Sequence, residues 1–174
     1  MPAYYIESSA WLKRYKSEIG SDVVSELLTG RTADDIFVTS HLSVLEVSTV
    51  AARLLKGRAI TPSQYERVVG TFTQDLSMHA VVILPLFHTL VQESIDLLPQ
   101  YPLRTADALQ FATALRVSRA VAVADQPFHV VSADKEIIAA CAGHDIPQLD
   151  PESPSALSQL HALRRAGPPP TSTT

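Results

Sequence analysis

Ala3-Tyr4-Tyr5-Ile6-Glu7-Ser8-Ser9 is an apolar, aromatic run that ends on an acid and two hydroxyl residues. It reads as a short strand followed by the start of a helix, which continues through Trp11, Leu12 and Tyr15 with Lys13, Arg14 and Lys16 between them. A carboxylate at such a junction emerges at the carboxyl edge of a sheet, beside a helix N-terminus. The same hand-over recurs downstream. Ile36-Phe37-Val38-Thr39 reads as a second strand, with Ser40 as the N-cap of a helix carrying Leu42, Leu45, Val50, Leu54 and Leu55 before Gly57. His129-Val130-Val131-Ser132 reads as another strand, with Asp134 starting a helix that stops at Gly143.

Between these units, Gly20-Ser21-Asp22 opens a helix striped with Val23, Val24, Leu27 and Leu28 and ended by Gly30. Thr61-Pro62-Ser63-Gln64 combines an N-cap Thr, a first-position Pro and a third-position Gln, the signature of another helix start. Ala80-Val81-Val82-Ile83-Leu84, bounded by Pro85, reads as a strand buried on both faces. The helix after it ends near Pro99 and Pro102, and Thr105 caps the next, through Leu115. Ile146-Pro147-Gln148-Leu149 gives a short last strand, and Ser155 to Arg165 an amphipathic helix.

Strands alternating with helices predict a single three-layer α/β/α domain with a mostly parallel central sheet, whose ligands bind at the carboxyl ends of the strands. We divide the chain into a catalytic domain over residues 1–151, a helical extension over 152–166 and a disordered Pro/Thr-rich tail over 167–174. A length of 174 residues with 46% apolar content supports one sizeable core. No apolar run is long enough for a membrane helix and no basic, apolar, small-residue leader opens the sequence, so a cytoplasmic protein is expected. The single cysteine, Cys141, lies in an apolar run and reads as a buried side chain. A net charge of −4 argues against a protein that coats nucleic acid by overall positive charge. It leaves room for a nuclease that draws in a phosphodiester through carboxylate-held metal ions.

Four acids then stand out: Glu7, Glu46, Asp107 and Asp134. Taken singly, Asp107 and Asp134 are explained by the favourable placement of acids in first helical turns. Glu46 is harder to explain away, because Leu42-Ser43-Val44-Leu45-Glu46-Val47 would tend to bury it. Jointly, the four suit a metal cluster gathered from distant parts of the chain.

The segments Tyr5-Ile6-Glu7-Ser8-Ser9-Ala10-Trp11-Leu12-Lys13-Arg14-Tyr15, Thr39-Ser40-His41-Leu42-Ser43-Val44-Leu45-Glu46-Val47, Leu103-Arg104-Thr105-Ala106-Asp107-Ala108-Leu109-Gln110-Phe111-Ala112 and Val131-Ser132-Ala133-Asp134 resemble, in order, the signatures of PIN-domain proteins. Within that family they look most like VapC toxins of type II toxin–antitoxin pairs. The resemblance implies a PIN-like domain that uses Mg2+ or Mn2+ to hydrolyse RNA. It implies catalytic and metal-binding roles for Glu7, Glu46, Asp107 and Asp134, supporting roles for Ser8, Ser9 and Ser132, a small cognate antitoxin as partner, and a homodimer. Hard oxygen ligands suit those cations.

The family's first acid is usually Asp, whereas here it is Glu7, one methylene longer. Octahedral Mg2+ tolerates geometric error poorly, so a catalytically weakened PIN-fold RNA-binding or dimerisation module stands as the alternative. Lys13, Arg14 and Arg104 are the candidate substrate contacts. The six histidines show neither paired spacing nor a neighbouring Cys, which speaks against zinc. A phosphotransferase of haloacid-dehalogenase type needs Asp at the positions of Glu7 and Ser9.

Overall fold

The structure is a computed structural model describing residues 1–165; residue 166 and the tail assigned to 167–174 lie outside the described residues. Five strands, β1 (Ala3–Ile6), β2 (Ile36–Ser40), β3 (Val82–Leu84), β4 (Phe128–Val131) and β5 (Gln148–Leu149), alternate with eight helices: α1 (Ser8–Tyr15), α2 (Ser21–Thr29), α3 (His41–Lys56), α4 (Pro62–Met78), α5 (His88–Leu97), α6 (Thr105–Ala122), α7 (Lys135–Gly143) and α8 (Ala156–Arg165). The sheet order is β3-β2-β1-β4-β5 and every pairing is parallel. The chain order reverses on either side of β1, whose carboxyl end is thus the crevice where a parallel sheet binds ligands.

β1 explains the three layers residue by residue. Its side chains alternate between faces with the period of two that a strand imposes. Ala3 and Tyr5 enter a core with Leu90, Phe111, Ile137 and Cys141, supplied by α5, α6 and α7. Tyr4 and Ile6 enter a second core with Trp11, Val24, Phe72 and Leu160, from α1, α2, α4 and α8. All four strand residues are fully buried, which is why the run shows no polar alternation. α8 shares that second core through Ala156 and Leu160, and Arg164 donates to the carbonyls of Glu26 and Leu27 at the end of α2.

Local signals account for most boundaries. Ser40 caps α3 by accepting the Ser43 amide, and Thr61 and Gln64 close the reciprocal box that starts α4. Gly20 precedes α2 at φ +87, with the Pro151 carbonyl 2.7 Å from where a Cβ would stand, so neither the backbone nor the space admits another residue.

Two expectations are corrected. The strand read over residues 80–84 is only Val82–Leu84, and it is not buried on both faces. It pairs with β2 alone, at the sheet edge, and Val82 is 47% exposed. An apolar run cannot by itself distinguish a central strand from an edge. Thr105 does not cap α6: Arg104 holds the extended cap conformation, and Thr105 is already the first helical residue. That register puts Asp107 at the third helical position. No helix among the described residues is long and apolar enough to cross a membrane.

Candidate active site

Glu7 leaves β1 at the carboxyl edge, its amide still donating to the Val131 carbonyl at 3.0 Å. Its side chain then folds back as the N-cap of α1. Oε1 accepts from the Ser8 hydroxyl; Oε2 accepts the Ser9 amide at 2.9 Å, the Ser9 hydroxyl at 2.5 Å and the Ser132 hydroxyl at 3.1 Å. Ser9 Oγ also accepts the Ala133 amide at 2.9 Å, so the carboxylate and its serines staple the start of α1 to the end of β4. At 3% exposure, burial pushes this carboxyl above the usual range; the Ser8 and Ser9 bonds oppose the shift and the charge of Glu46 adds to it.

Asp134, two residues past Ser132, caps α7: Oδ1 accepts the amides of Glu136 at 2.8 Å and Ile137 at 3.1 Å. Its own amide donates to Ser132 Oγ at 3.1 Å. Asp107 is half-buried in the first turn of α6. Its carboxyl is raised first by desolvation, then by the negative charges of Asp134, Glu46 and Glu136, with the Arg104 backbone amide offsetting part of the rise. Glu46, on the second turn of α3, is half-buried rather than sealed in, and its Oε2 accepts from Gln110 Nε2 at 2.6 Å.

The carboxyl ends of β1, β2 and β4, with the start of α6, thus bring Glu7, Glu46, Asp107, Asp134, Ser8, Ser9 and Ser132 into one region. Among the described residues no group of three or more His, Cys, Asp or Glu side chains is placed to hold a metal ion. The donor chemistry still fits a hard divalent cation. Burial first, and neighbouring acids after it, raise the carboxyls of Glu7 and Asp107, a burden a cation would relieve, and Mg2+ keeps several waters and needs only one or two protein carboxylates. Glu46, Asp107 and Asp134 are the acids with oxygen atoms left to offer. Glu7 has both of its oxygens engaged by donors.

The candidate cations separate. Lys13, in the last turn of α1, is 3% exposed and donates to Glu152 at 2.7 Å, the Ile19 carbonyl at 2.9 Å and Glu18 at 3.4 Å. Arg14 is held by Asp75 at 3.3 Å and Ser25 at 3.2 Å. Both lie at the far end of α1 from Glu7, Lys13 with its ammonium enclosed by acceptors and Arg14 turned to Asp75 and Ser25, so neither is set to meet substrate at the acidic edge. Arg104 is exposed at the mouth of α6, and no ion pair among the described residues involves it.

Two polar residues of the region escaped the sequence reading. Glu136 sits in the first turn of α7, where an acid is ordinary and carries no signal of its own. Gln110 interrupts the apolar run Ala108-Leu109-Gln110-Phe111-Ala112 one helical turn after Asp107, and that interruption was the available signal.

A PIN-domain family model matches residues 4–141. The chain belongs to the PIN-domain family. Several solved structures share its architecture. VapC20 of Mycobacterium tuberculosis, a sarcin–ricin loop cleaving toxin, aligns at 13% identity and TM-score 0.57 over 79% of this chain and 94% of its own. A toxin–antitoxin complex from Klebsiella pneumoniae aligns at 14% and 0.53 over 85% and 97%. VapBC-1 from nontypeable Haemophilus influenzae aligns at 13% and 0.57 over 87% and 99%. At such identities the likeness is one of fold, and no curated protein sequence matches the chain.

Proposed function

We propose that this PIN-domain chain is a divalent-metal-dependent endoribonuclease, the toxin of a VapBC-type pair, acting on RNA in the cytoplasm. The observation that carries the reading is the gathering of Glu7, Glu46, Asp107 and Asp134 at the carboxyl edge of the sheet, with the Asp107 carboxyl raised by burial and then by its acidic neighbours. Its support is the PIN fold shared with a sarcin–ricin loop cleaving toxin and with a toxin–antitoxin complex. A small antitoxin and a second copy of the chain are the proposed partners. Phe87, Val91 and Ile95 along α5, each about half exposed, give a homodimer apolar surface to cover.

Bound here, Mg2+ or Mn2+ would supply charge neutralisation at the phosphate and activation of water at neutral pH. Glu46, Asp107 and Asp134 would hold it through hard oxygens. Glu7 fixes the relative placement of α1 and β4, and with them Ser132 and Asp134. Arg104 offers a guanidinium to the phosphate backbone. The full engagement of Glu7 favours one second reading, a PIN module with weakened chemistry.

The test is incubation of the purified chain with structured total RNA and Mg2+ or Mn2+, beside Asp107→Asn and Glu7→Asp. Under the nuclease reading the native protein cuts, and Asp107→Asn is at least ~100-fold slower while still folded, as loss of a positioned group implies. Equal rates for Asp107→Asn and the native chain would refute the acidic centre. Cleavage by Glu7→Asp alone would favour the weakened module.

A further inference from the structure

Gln110 is 1% exposed and lies between Tyr5 of β1, Ser40 and Ser43 at the start of α3, and Glu46. Three hydroxyls converge on Oε1: Tyr5 at 2.5 Å, Ser40 at 3.1 Å and Ser43 at 3.2 Å. Nε2 reaches Ser43 Oγ at 2.9 Å and Glu46 Oε2 at 2.6 Å. The surroundings dictate which way the amide points. The amide nitrogen is the donor end and faces the Glu46 carboxylate, while the oxygen is the end on which the hydroxyls converge. The Tyr5 hydroxyl donates to the amide oxygen, as do Ser40 and Ser43. Tyr5 thereby orients Gln110, and Gln110 orients Glu46.

The consequence concerns how Glu46 can bind. Oε2 is tied to a buried amide, while Oε1 takes no hydrogen bond from any described residue. Mg2+ and Mn2+ accept single carboxylate oxygens in compact octahedra; Ca2+ takes more oxygens at longer distances and often uses both oxygens of a carboxylate. We infer that Gln110 is a positioning residue that holds Glu46 as a one-oxygen ligand and so selects a small octahedral divalent cation over Ca2+. The inference rests on the reading of the acidic edge as a metal site.

Binding of Mn2+ and of Ca2+ to the full chain, measured by isothermal titration calorimetry, tests it without reference to activity. Gln110→Met alone would strand the Tyr5 phenol, so the working variant is Tyr5→Phe with Gln110→Met. Tyr5→Phe alone is the control, and thermal melts establish that each is folded. The double variant should bind Mn2+ about 10–100-fold more weakly, the range found when an outer partner of a ligand is lost. Its Ca2+ affinity should hold or rise, so the preference between the ions collapses. Tyr5→Phe leaves Ser40 and Ser43 on the amide oxygen and should keep most of the native preference. Parallel losses for both ions, or no change for either, would overturn the role of Gln110. Asp107→Asn separates the two levels: Mn2+ binding that survives it undiminished refutes the metal site and this inference with it. A weakened Asp107→Asn beside an unaltered double variant refutes only the inference.

Discussion

Glu7 occupies a spot where three serine hydroxyls and one backbone amide meet, and removing it would strand all of them inside the protein. Leaving a buried donor without its partner costs about 1–3 kcal/mol, and loss of an N-cap about 1 kcal/mol. Glu7→Ala should therefore cost about 2–4 kcal/mol of stability, read from the midpoint of urea denaturation at constant slope. A loss below about 0.5 kcal/mol, the scale of ordinary surface changes, would show that the staple does not hold α1 to β4. The position of this acid was legible in the sequence, because an apolar run ending on Glu-Ser-Ser announces a strand-to-helix junction. Its engagement was not. Ser132 lies 125 positions away, and only the parallel pairing of β1 with β4 reveals that the extra methylene turns the carboxylate inward onto serines.

At the scale of elements, β4 carries a testable weakness. His129 is buried beside its β1 register partner Tyr4, the rings 5.9 Å apart and nearly parallel, and its Nδ1 has no hydrogen-bond partner. Burial holds its pKa below the ordinary histidine value. The unfolded chain then takes up a proton at a higher pH than the native one. The stabilisation from neutral His129 is complete above the unfolded value, about 6.5, and is lost as pH falls through the native value. His129→Phe should narrow the gap between the melting temperatures measured at pH 5 and pH 7.5. An unchanged gap would assign the acid sensitivity elsewhere. Element identity was well marked along the chain by capping residues and by runs without polar alternation. Depth was not: Val81-Val82-Ile83-Leu84 has the composition of a central strand, and only its solitary pairing with β2 shows it to be an edge. Lys13 misled for a related reason. A cation on a helix reads as surface until Glu152, 139 residues later, folds over it.

For the whole molecule, the like charges at the carboxyl edge oppose folding, and a cation bound there would oppose unfolding. A ligand at 100 times its dissociation constant adds about 2.7 kcal/mol to a native state that alone binds it, or about 5–10 °C in a domain of this size. Saturating Mn2+ should raise the melting temperature of the native chain by that amount, and Asp107→Asn should abolish most of the rise. A shift of equal size in both would place the ion at some other group of acids. The three-layer order was readable from the alternation of strands and helices, whereas the reversal that sets β1 between β2 and β4 depends on contacts no local pattern encodes.

Trp11, the only tryptophan of the chain, is fully buried, packs edge-on against Phe72 at 5.5 Å and donates to Thr39 Oγ1 at 3.1 Å. Thr39 Oγ1 donates in turn to the Ile6 carbonyl at 2.7 Å, one residue before Glu7. The molecule therefore contains a single-site fluorophore two hydrogen bonds from the end of β1. Its emission should be blue-shifted in the native state and should move red when the core opens to water. Small rearrangements at the sheet edge can then be followed optically in the unlabelled protein, with no second indole to dilute the signal.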